Sequence, residues 1–553
     1  MLENRPSPFD DLMRGFASGA ITRRDFLVRA MALGLSASGA AWLLAACTSS
    51  ASPSGAAASG GAKSTPKAGG TIRVAYTGAP VGLDPGHVAI SFSHYLIEQV
   101  YSTLTVIDSA GNVQPELATS WDVAPDGSQY IFHLREGVTF HNGDPLTAED
   151  VKFTFDRLLD KTTGYPFRGY VETIDHVDVV DPSTVKVVMA KAYAPFLAEM
   201  SQPGQSIVSK KAVTGGLNLD SKPMGTGPFK FVDYVPGDHW DLVRNDKYFL
   251  PGKPYFDKFV GKIITDDPSR TNALIGDLVD FVVEVPGSDW KTVSAASQLT
   301  SLSFPSGHYH YIGVNLRKAP FMDKNVRLAM GYALDRQDIV DGVFFGQGTP
   351  ILGGNIPSWS WAYDPSVHRF GPKADVAKAK EFLAKSSVPN GFDATYLSPT
   401  GSAVQNNQGP LIQQNMKAIG INISLKQEDD PAYEGDLFTV PLPRNFEVID
   451  DYWLSPLIDP DDFTYLIMYG GAGTNIIGYN NPQMNSLIDQ GRATPDQAKR
   501  KEIYSKIQQL QMDDYAFMFT VNANVLHSYN KRLQNYVPDR NGFMKSIRDC
   551  WFA

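Results

Sequence analysis

Polar and apolar positions alternate in short runs through the first half of the chain. Thr71-Ile72-Arg73-Val74-Ala75-Tyr76 reads as a half-buried strand, and Tyr130-Ile131-Phe132-His133-Leu134-Arg135 repeats the pattern after an Asp126-Gly127 turn. Val185 to Val188 and Trp240 to Val243 predict further strands. The second half changes period. Val326, Ala329, Met330, Ala333 and Leu334 fall at helical spacing behind Asp323, a predicted N-cap. Ala377, Lys380, Phe382 and Leu383 predict a second helix, closed by a turn at Pro389-Asn390-Gly391. Leu411 through Ile419 predicts a helix that stops at Gly420, and Ile421, Ile423 and Leu425 then alternate as a strand. Thr494-Pro495-Asp496 predicts the start of a long helix, with a capping residue and then Pro at its first position. No internal repeat is visible. Strands first and helix–strand units later imply a mixed α/β protein with at least two lobes.

The length, 553 residues, suits two to four compact units, and 43% hydrophobic with 20% charged residues is ordinary globular composition. A net charge of -10 argues against a nucleic-acid binder. Two cysteines, Cys47 and Cys550, leave no room for a disulfide framework or a Cys-rich zinc site.

The N-terminal segment reads as an address. Thr22-Arg23-Arg24-Asp25-Phe26-Leu27 precedes a mildly apolar run, Met31 to Ala46, which ends Leu44-Ala45-Ala46-Cys47. Arg23 and Arg24 suit a twin-arginine export signal over residues 1–46, and Leu-Ala-Ala-Cys resembles a lipobox, in which Cys47 would carry the lipid. Only 17 residues, many of them small, separate Arg29 from Cys47, fewer than the ~20 strongly apolar residues of a membrane span. Residues 47–68 read as a lipid-anchored flexible tether: after Cys47 they are mostly Ser, Ala, Gly and Pro with two lysines, a coil that spans roughly 25 Å. The expected location is extracytoplasmic, in the periplasm or on the outer face of the cell membrane.

The next blocks carry a resemblance. Leu117-Ala118-Thr119-Ser120-Trp121, Pro125-Asp126-Gly127 and the run from Tyr130 through Phe140-His141-Asn142-Gly143-Asp144 to Val151 are similar to the signature of family 5 extracellular solute-binding proteins, the dipeptide-, oligopeptide- and nickel-type receptors of ABC importers. Leu83-Asp84-Pro85, Gly225-Thr226-Gly227-Pro228-Phe229, Pro320-Phe321, Ala333-Leu334-Asp335-Arg336, Asp459-Pro460 and Tyr479-Asn480-Asn481 follow in the family's order. The resemblance implies a two-lobed, periplasmic-binding-protein-like α/β fold with an extra subdomain on the first lobe. Lobe I would comprise 69–115, 205–310 and 520–553, the inserted subdomain 116–204, and lobe II 311–519. It implies a monomeric receptor that closes on a solute and hands it to a membrane permease served by separate ATPase subunits, since this chain has no P-loop. No cofactor is implied. The signature block itself reads as structural, with Tyr130, Phe132 and Leu134 facing a core.

The resemblance also places a ligand. In peptide-binding members an aspartate three residues before the acidic-Pro pair anchors the ligand's ammonium group; here that position is Pro456, so the usual partner is missing. Asp450 or Asp451 could supply a carboxylate instead. Trp453 matches the family's cleft tryptophan, Tyr76 at the end of the first strand would face the cleft, and Asn475 lies on a loop that meets ligand backbone. Trp359 and Trp361, in the loop Asn355 to Trp361, offer large apolar faces for stacking or for packing beneath the loop. A peptide or modified peptide is the favoured ligand, with an oligosaccharide, another non-peptide solute or a nickel chelate as alternatives. His308 and His310 share one face of a strand, but a metal site wants three or four donors. The chain lacks GxSxG, HExxH and CxxC motifs, and its SxxK matches, Ser183 to Lys186 and Ser288 to Lys291, stand without partner motifs, so no catalysis is expected.

Overall fold

The computed structural model describes residues 65–88, 91–108, 111–438, 445–454, 459–472 and 474–553. Arg23, Arg24, Cys47 and Pro456 lie outside the described residues.

Strand β1, Thr71–Tyr76, spans the predicted residues and buries Ile72, Val74 and Tyr76. Helix α1, Ser91–Val100, follows. A separate four-stranded antiparallel sheet comes next, built from β2 (Ala118–Val123), β3 (Gln129–Leu134), β4 (Ile174–Asp181) and β5 (Thr184–Met189) in the order β2-β3-β5-β4. Helix α2, Ala148–Leu159, covers it, and Tyr130, Phe132, Val151, Phe155, Val185 and Val187 fill the space between. The turn before α2 is fixed by its polar side chains. Asn142 Nδ2 donates to Asp144 Oδ2 at 2.7 Å, and Thr147 N donates to Asp150 Oδ2 at 2.9 Å in a capping box.

Ten further strands join β1 in one large sheet. Its members are β6 (Phe229–Val235), β7 (His239–Arg244), β8 (Lys258–Ile263), β9 (Phe281–Val282), β10 (Leu299–Val314), β11 (Gly348–Pro350), β12 (Asp393–Pro399), β13 (Asn422–Glu428), β14 (Val448–Leu454) and β15 (Phe517–Asn530). The order is β13-β12-β14-β10-β15-β9-β1-β8-β7-β6, with β11 paired to β15. The strands β1, β8 and β9 run parallel around one core, and β12, β13 and β14 run parallel around another. Strands β10 and β15, 16 and 14 residues long, are antiparallel and belong to both halves. Residues 299–305 of β10 pair with 530–524 in the first half, and 309–313 pair with 522–517 in the second. Register breaks fall between Pro305 and Tyr309 and between His310 and Tyr311, where the ladder passes from one core to the other.

One glycine is fixed by packing. Gly261 on β8 lies opposite Trp240 on β7, and a Cβ there would sit 2.0 Å from the indole. Its absence lets Trp240 lie flat between Phe259, stacked at 5.0 Å, and Tyr76 at 5.4 Å.

The second-half helices are α3 (Lys324–Ala333), α4 (Val376–Ala384), α5 (Ala403–Lys417), α6 (Pro482–Ala493) and α7 (Gln497–Asp514). Asp323 caps α3 as predicted, accepting from Asn325 N at 2.8 Å. Two boundaries differ from the sequence reading. Helix α5 begins eight residues before Leu411, behind Ser402. The helix runs through Gly409-Pro410 and buries Gln405 and Gln408, whose amides both donate to Asp450. The long helix α7 is capped by Asp496, whose carboxylate accepts from Lys499 N at 2.8 Å. Thr494 instead ends α6, a helix the sequence reading did not separate. Among the described residues no helix is long and apolar enough to cross a membrane.

Candidate functional site

The blocks that carry the resemblance are mostly joints of the fold. His141 N donates to Gly225 O at 2.9 Å and its Nε2 lies 3.1 Å from Gly227 O, tying the signature to the Gly225-Thr226-Gly227 block. Cβ atoms at those glycines would meet the Val100 carbonyl at 2.4 and 2.7 Å, so both serve close backbone contact with the end of α1. Asp84 is gripped through both oxygens by Arg157. Arg336, fully buried, donates to Phe519 O, Gly331 O and Tyr515 Oη.

The candidate ligand residues fall into two groups. Trp359, Trp361 and Trp453 all pack on the cluster that holds Tyr309, Phe463 and Phe519, at the second-half end of the crossing strands. Trp359 is half-buried; its Nε1 donates to Ser306 O at 3.0 Å, at the register break, and Arg540 lies 5.4 Å above its ring. Trp453 is half-buried on β14 opposite Tyr309, and its Nε1 is 3.4 Å from Asp462 Oδ2. Trp361 faces Arg500 at 5.3 Å and Tyr504 at 6.0 Å. Asn475 is buried and clamps its own loop, donating to Tyr469 O and Tyr479 O and accepting from Tyr479 N. Tyr76 lies in the other core at 2% exposure, between Tyr95 at 5.1 Å and Trp240.

The two carboxylates named as substitutes for Pro456 are engaged elsewhere. Asp450 is fully buried, accepts from Tyr396 Oη at 2.6 Å and Gln408 Nε2 at 2.7 Å, and burial holds its carboxyl well above the usual range. Asp451 accepts from Tyr311 Oη at 2.7 Å. His308 and His310 do share a face, with rings 4.9 Å apart beneath Tyr452, and burial lowers the His308 imidazole to about 4. No third ligating side chain joins them; among the described residues the one such trio is Asp84, His87 and Asp220, which Arg157 already enters.

A second constellation escaped the sequence reading. Asp459, Asp461 and Asp462 are all buried, each held by partners distant in sequence. Arg500 grips Asp459 in a two-pronged pair at 2.9 and 2.7 Å. Arg492 Nε lies 3.2 Å from Asp461, and its guanidinium sits between the rings of Tyr465 at 3.6 Å and Tyr193 at 4.8 Å. Tyr170 Oη donates to Asp462 Oδ1 at 2.9 Å, Tyr193 Oη is 3.4 Å from Asp461, and Ala194 N donates to Arg492 O at 2.7 Å. Burial pushes the Asp461 carboxyl up to about 6 despite Arg492, and raises Glu199, bonded to Tyr193, well above the usual range. Tyr170, Tyr193 and Glu199 come from the segment of the small sheet, whereas the aspartates and arginines come from the second half. The signal in the sequence was three acidic residues in four, at 459, 461 and 462, which need cations or hydrogen-bond donors when buried.

Two α/β halves around a shared pair of crossing strands, with aromatic and charged groups meeting at the junction, define a two-lobed binding protein. The family model for bacterial extracellular solute-binding proteins, family 5, matches residues 112–475, and the chain belongs to that family. It is a family of binding proteins rather than enzymes, and it works outside the cytoplasm. Heme-binding protein A of Haemophilus influenzae is 27% identical over 544 residues, covering 92% of this chain and 97% of that one. Di/tripeptide-binding protein 1 of Pseudomonas aeruginosa is 26% identical over 488 residues, covering 83% and 90%. Among solved structures, the PBP AgaA of A. tumefaciens R10 in complex with agropinic acid has a TM-score of 0.76 at 27% identity, covering 88% of this chain and 99% of that one.

Proposed function

We propose that this chain is the lipid-anchored receptor of an ABC importer, which captures a peptide or modified peptide between its lobes and delivers it to a permease driven by separate ATPase subunits. The observation that carries the reading is the crossing pair β10 and β15. Each strand serves both cores and loses register at the passage, which suits a hinge between lobes drawn as 69–115 with 205–310 and 520–553 on one side and 311–519 on the other. The subdomain 116–204 would ride with the first lobe. Trp359 and Trp453, half-buried near that passage, are proposed to stack on the ligand, with Trp361 and Asn475 shaping their loops and Tyr76 supporting the opposite wall. Relatives named for di/tripeptides, heme and agropinic acid support a small organic solute and keep a non-peptide ligand as the second reading.

A thermal-shift screen of dipeptides, tripeptides, cello-oligosaccharides and nickel salts tests the ligand class. A true ligand at a hundredfold excess over its Kd should add about 2.7 kcal/mol of apparent stability. The same ligand should lower the radius of gyration in small-angle scattering as the lobes close; an unchanged radius at saturation refutes closure.

The anchor is proposed from Cys47 behind Leu44-Ala45-Ala46 and from the twin arginines Arg23 and Arg24. Cys47→Ala should move the protein from the membrane pellet to the soluble fraction. Retention in the pellet after carbonate washing would show that Cys47 carries no anchor.

A further inference from the structure

A cavity of about 40 Å³ lies between the end of α1, residues 201–206 and the C-terminal loop 539–545. That is room for an ammonium head and a water, and no more. Glu98, Thr103, Gln202, Asp539 and Lys545 are among its lining residues. Glu98 is 6% exposed. Its Oε1 accepts from Met544 N at 2.7 Å and from Gln99 Nε2 at 3.2 Å, while Oε2 meets no donor among the described residues. Asp539 uses Oδ1 for Asn541 N at 2.8 Å, and its Oδ2 likewise meets no donor among the described residues. The one cation in the lining, Lys545, is already committed, to Thr103 Oγ1 at 3.1 Å and towards Glu116 at 3.9 Å. Two carboxylates therefore face one lysine that is shared outward. Burial drives the Glu98 carboxyl up to about 8 and the Asp539 carboxyl up to about 6, and the single Lys545 only partly offsets it.

The same loop reaches the lobe junction. Arg540, next to Asp539, donates to Pro305 O at 3.1 Å, accepts from Gly307 N through its carbonyl, and lies over the Trp359 ring. The loop that lines the cavity through Asp539 thus also contacts the passage of the crossing strands through Arg540.

We infer that Glu98 and Asp539 form a receptor for the primary ammonium group of the ligand, a role for which Pro456, at the family's usual position, offers no carboxylate. The inference rests on the reading of the chain as a peptide receptor. The two carboxylates would each accept one N–H of the ammonium, and Gln202 or Thr103 the third. A charge-assisted hydrogen bond of this kind is worth about tenfold or more in affinity.

The test uses the mature protein, Glu98→Gln and Asp539→Asn, both near-isosteric, with melting curves to confirm folding. Isothermal titration compares alanyl-leucine with its N-acetyl form. The native chain should prefer the free amine by at least about tenfold, and the preference should collapse in both variants. A preference that survives both substitutions, or none in the native chain, overturns the inference while sparing the peptide reading. If neither peptide binds, the peptide reading fails and a second arm decides the site. Methylammonium chloride should then raise the melting temperature of the native chain more than tetramethylammonium chloride at equal ionic strength. The double variant E98Q/D539N should show no such difference; equal shifts in the native chain overturn the inference.

Discussion

Arg500→Met should lower stability by about 3–5 kcal/mol, the usual cost of stripping one partner from a buried ion pair. Both side chains are nearly closed to solvent, 6% and 8% exposed, and the guanidinium matches Asp459 with two bonds while donating a third to the Gly491 carbonyl. Methionine would fill much of the volume between Trp361 and Tyr504, the rings that now flank the guanidinium, but would strand the Asp459 carboxylate without its counter-charge. The loss is in what the variant leaves behind rather than in the pair's own net worth. Asp459→Asn with Arg500→Met should therefore recover more than half of it, because the asparagine side chain is neutral and keeps an acceptor for Asp461 N. Urea denaturation of the single and double variants measures this. A single variant within about 1 kcal/mol of the native chain would show that the pair is not buried in solution.

The same pair explains why the family's acidic-Pro block was readable and its purpose was not. Asp459-Pro460 could be matched by its neighbours in sequence, but its partner lies 41 residues away on α7, which no local pattern announces. Elements governed by local rules came through well. The alternation at 71–76 and the cap at Asp323 are properties of a few adjacent residues, and the structure reproduces both. The start of α5 failed for a physical reason. Between Ala403 and Pro410 its buried positions include Gln405 and Gln408, polar side chains that read as exposed until Asp450 appears across the core. The start of α7 was read two residues early because Thr494 and Asp496 are both good capping residues, and only the backbone decides which one caps. The candidate site was half legible. Aromatic residues in a Pro- and Gly-rich loop pointed to Trp359 and Trp361, and the structure places them with Trp453 on one cluster. The long-range polar joints, Tyr170 to Asp462 and Tyr193 to Arg492, span about 300 residues of chain; the acids at 459–462 mark one end, and nothing in the tyrosine segment marks the other.

Those joints make the remaining prediction. Tyr170→Phe keeps the ring that stacks on Phe167 at 5.5 Å and removes only the hydroxyl that bonds Asp462. Tyr193→Phe likewise keeps the ring beside Arg492 and removes the hydroxyl shared with Glu199 and Asp461. If the lobes part when the receptor opens, the bonds to Asp462 and Asp461 exist only in the closed form, whereas Tyr193 to Glu199 lies within the small-sheet segment and persists; open Asp462 is hydrated in native and variant alike. Tyr170→Phe then acts on the open–closed equilibrium and leaves each lobe intact. A hydrogen bond to a charged group contributes about 1.5–3 kcal/mol, so Tyr170→Phe should weaken the tightest ligand of the thermal-shift screen by roughly ten- to a hundredfold. The double variant should weaken it further and, without ligand, give a larger radius of gyration than the native chain, since a population shift needs only a differential contact between the two states. Ligand-free melting of Tyr170→Phe should move little, because its bond to Asp462 is absent from the open state that the variant favours. Unchanged affinity together with an unchanged radius would show that the Tyr170 and Tyr193 contacts persist through opening, so that the small sheet moves with the second half rather than with the first lobe.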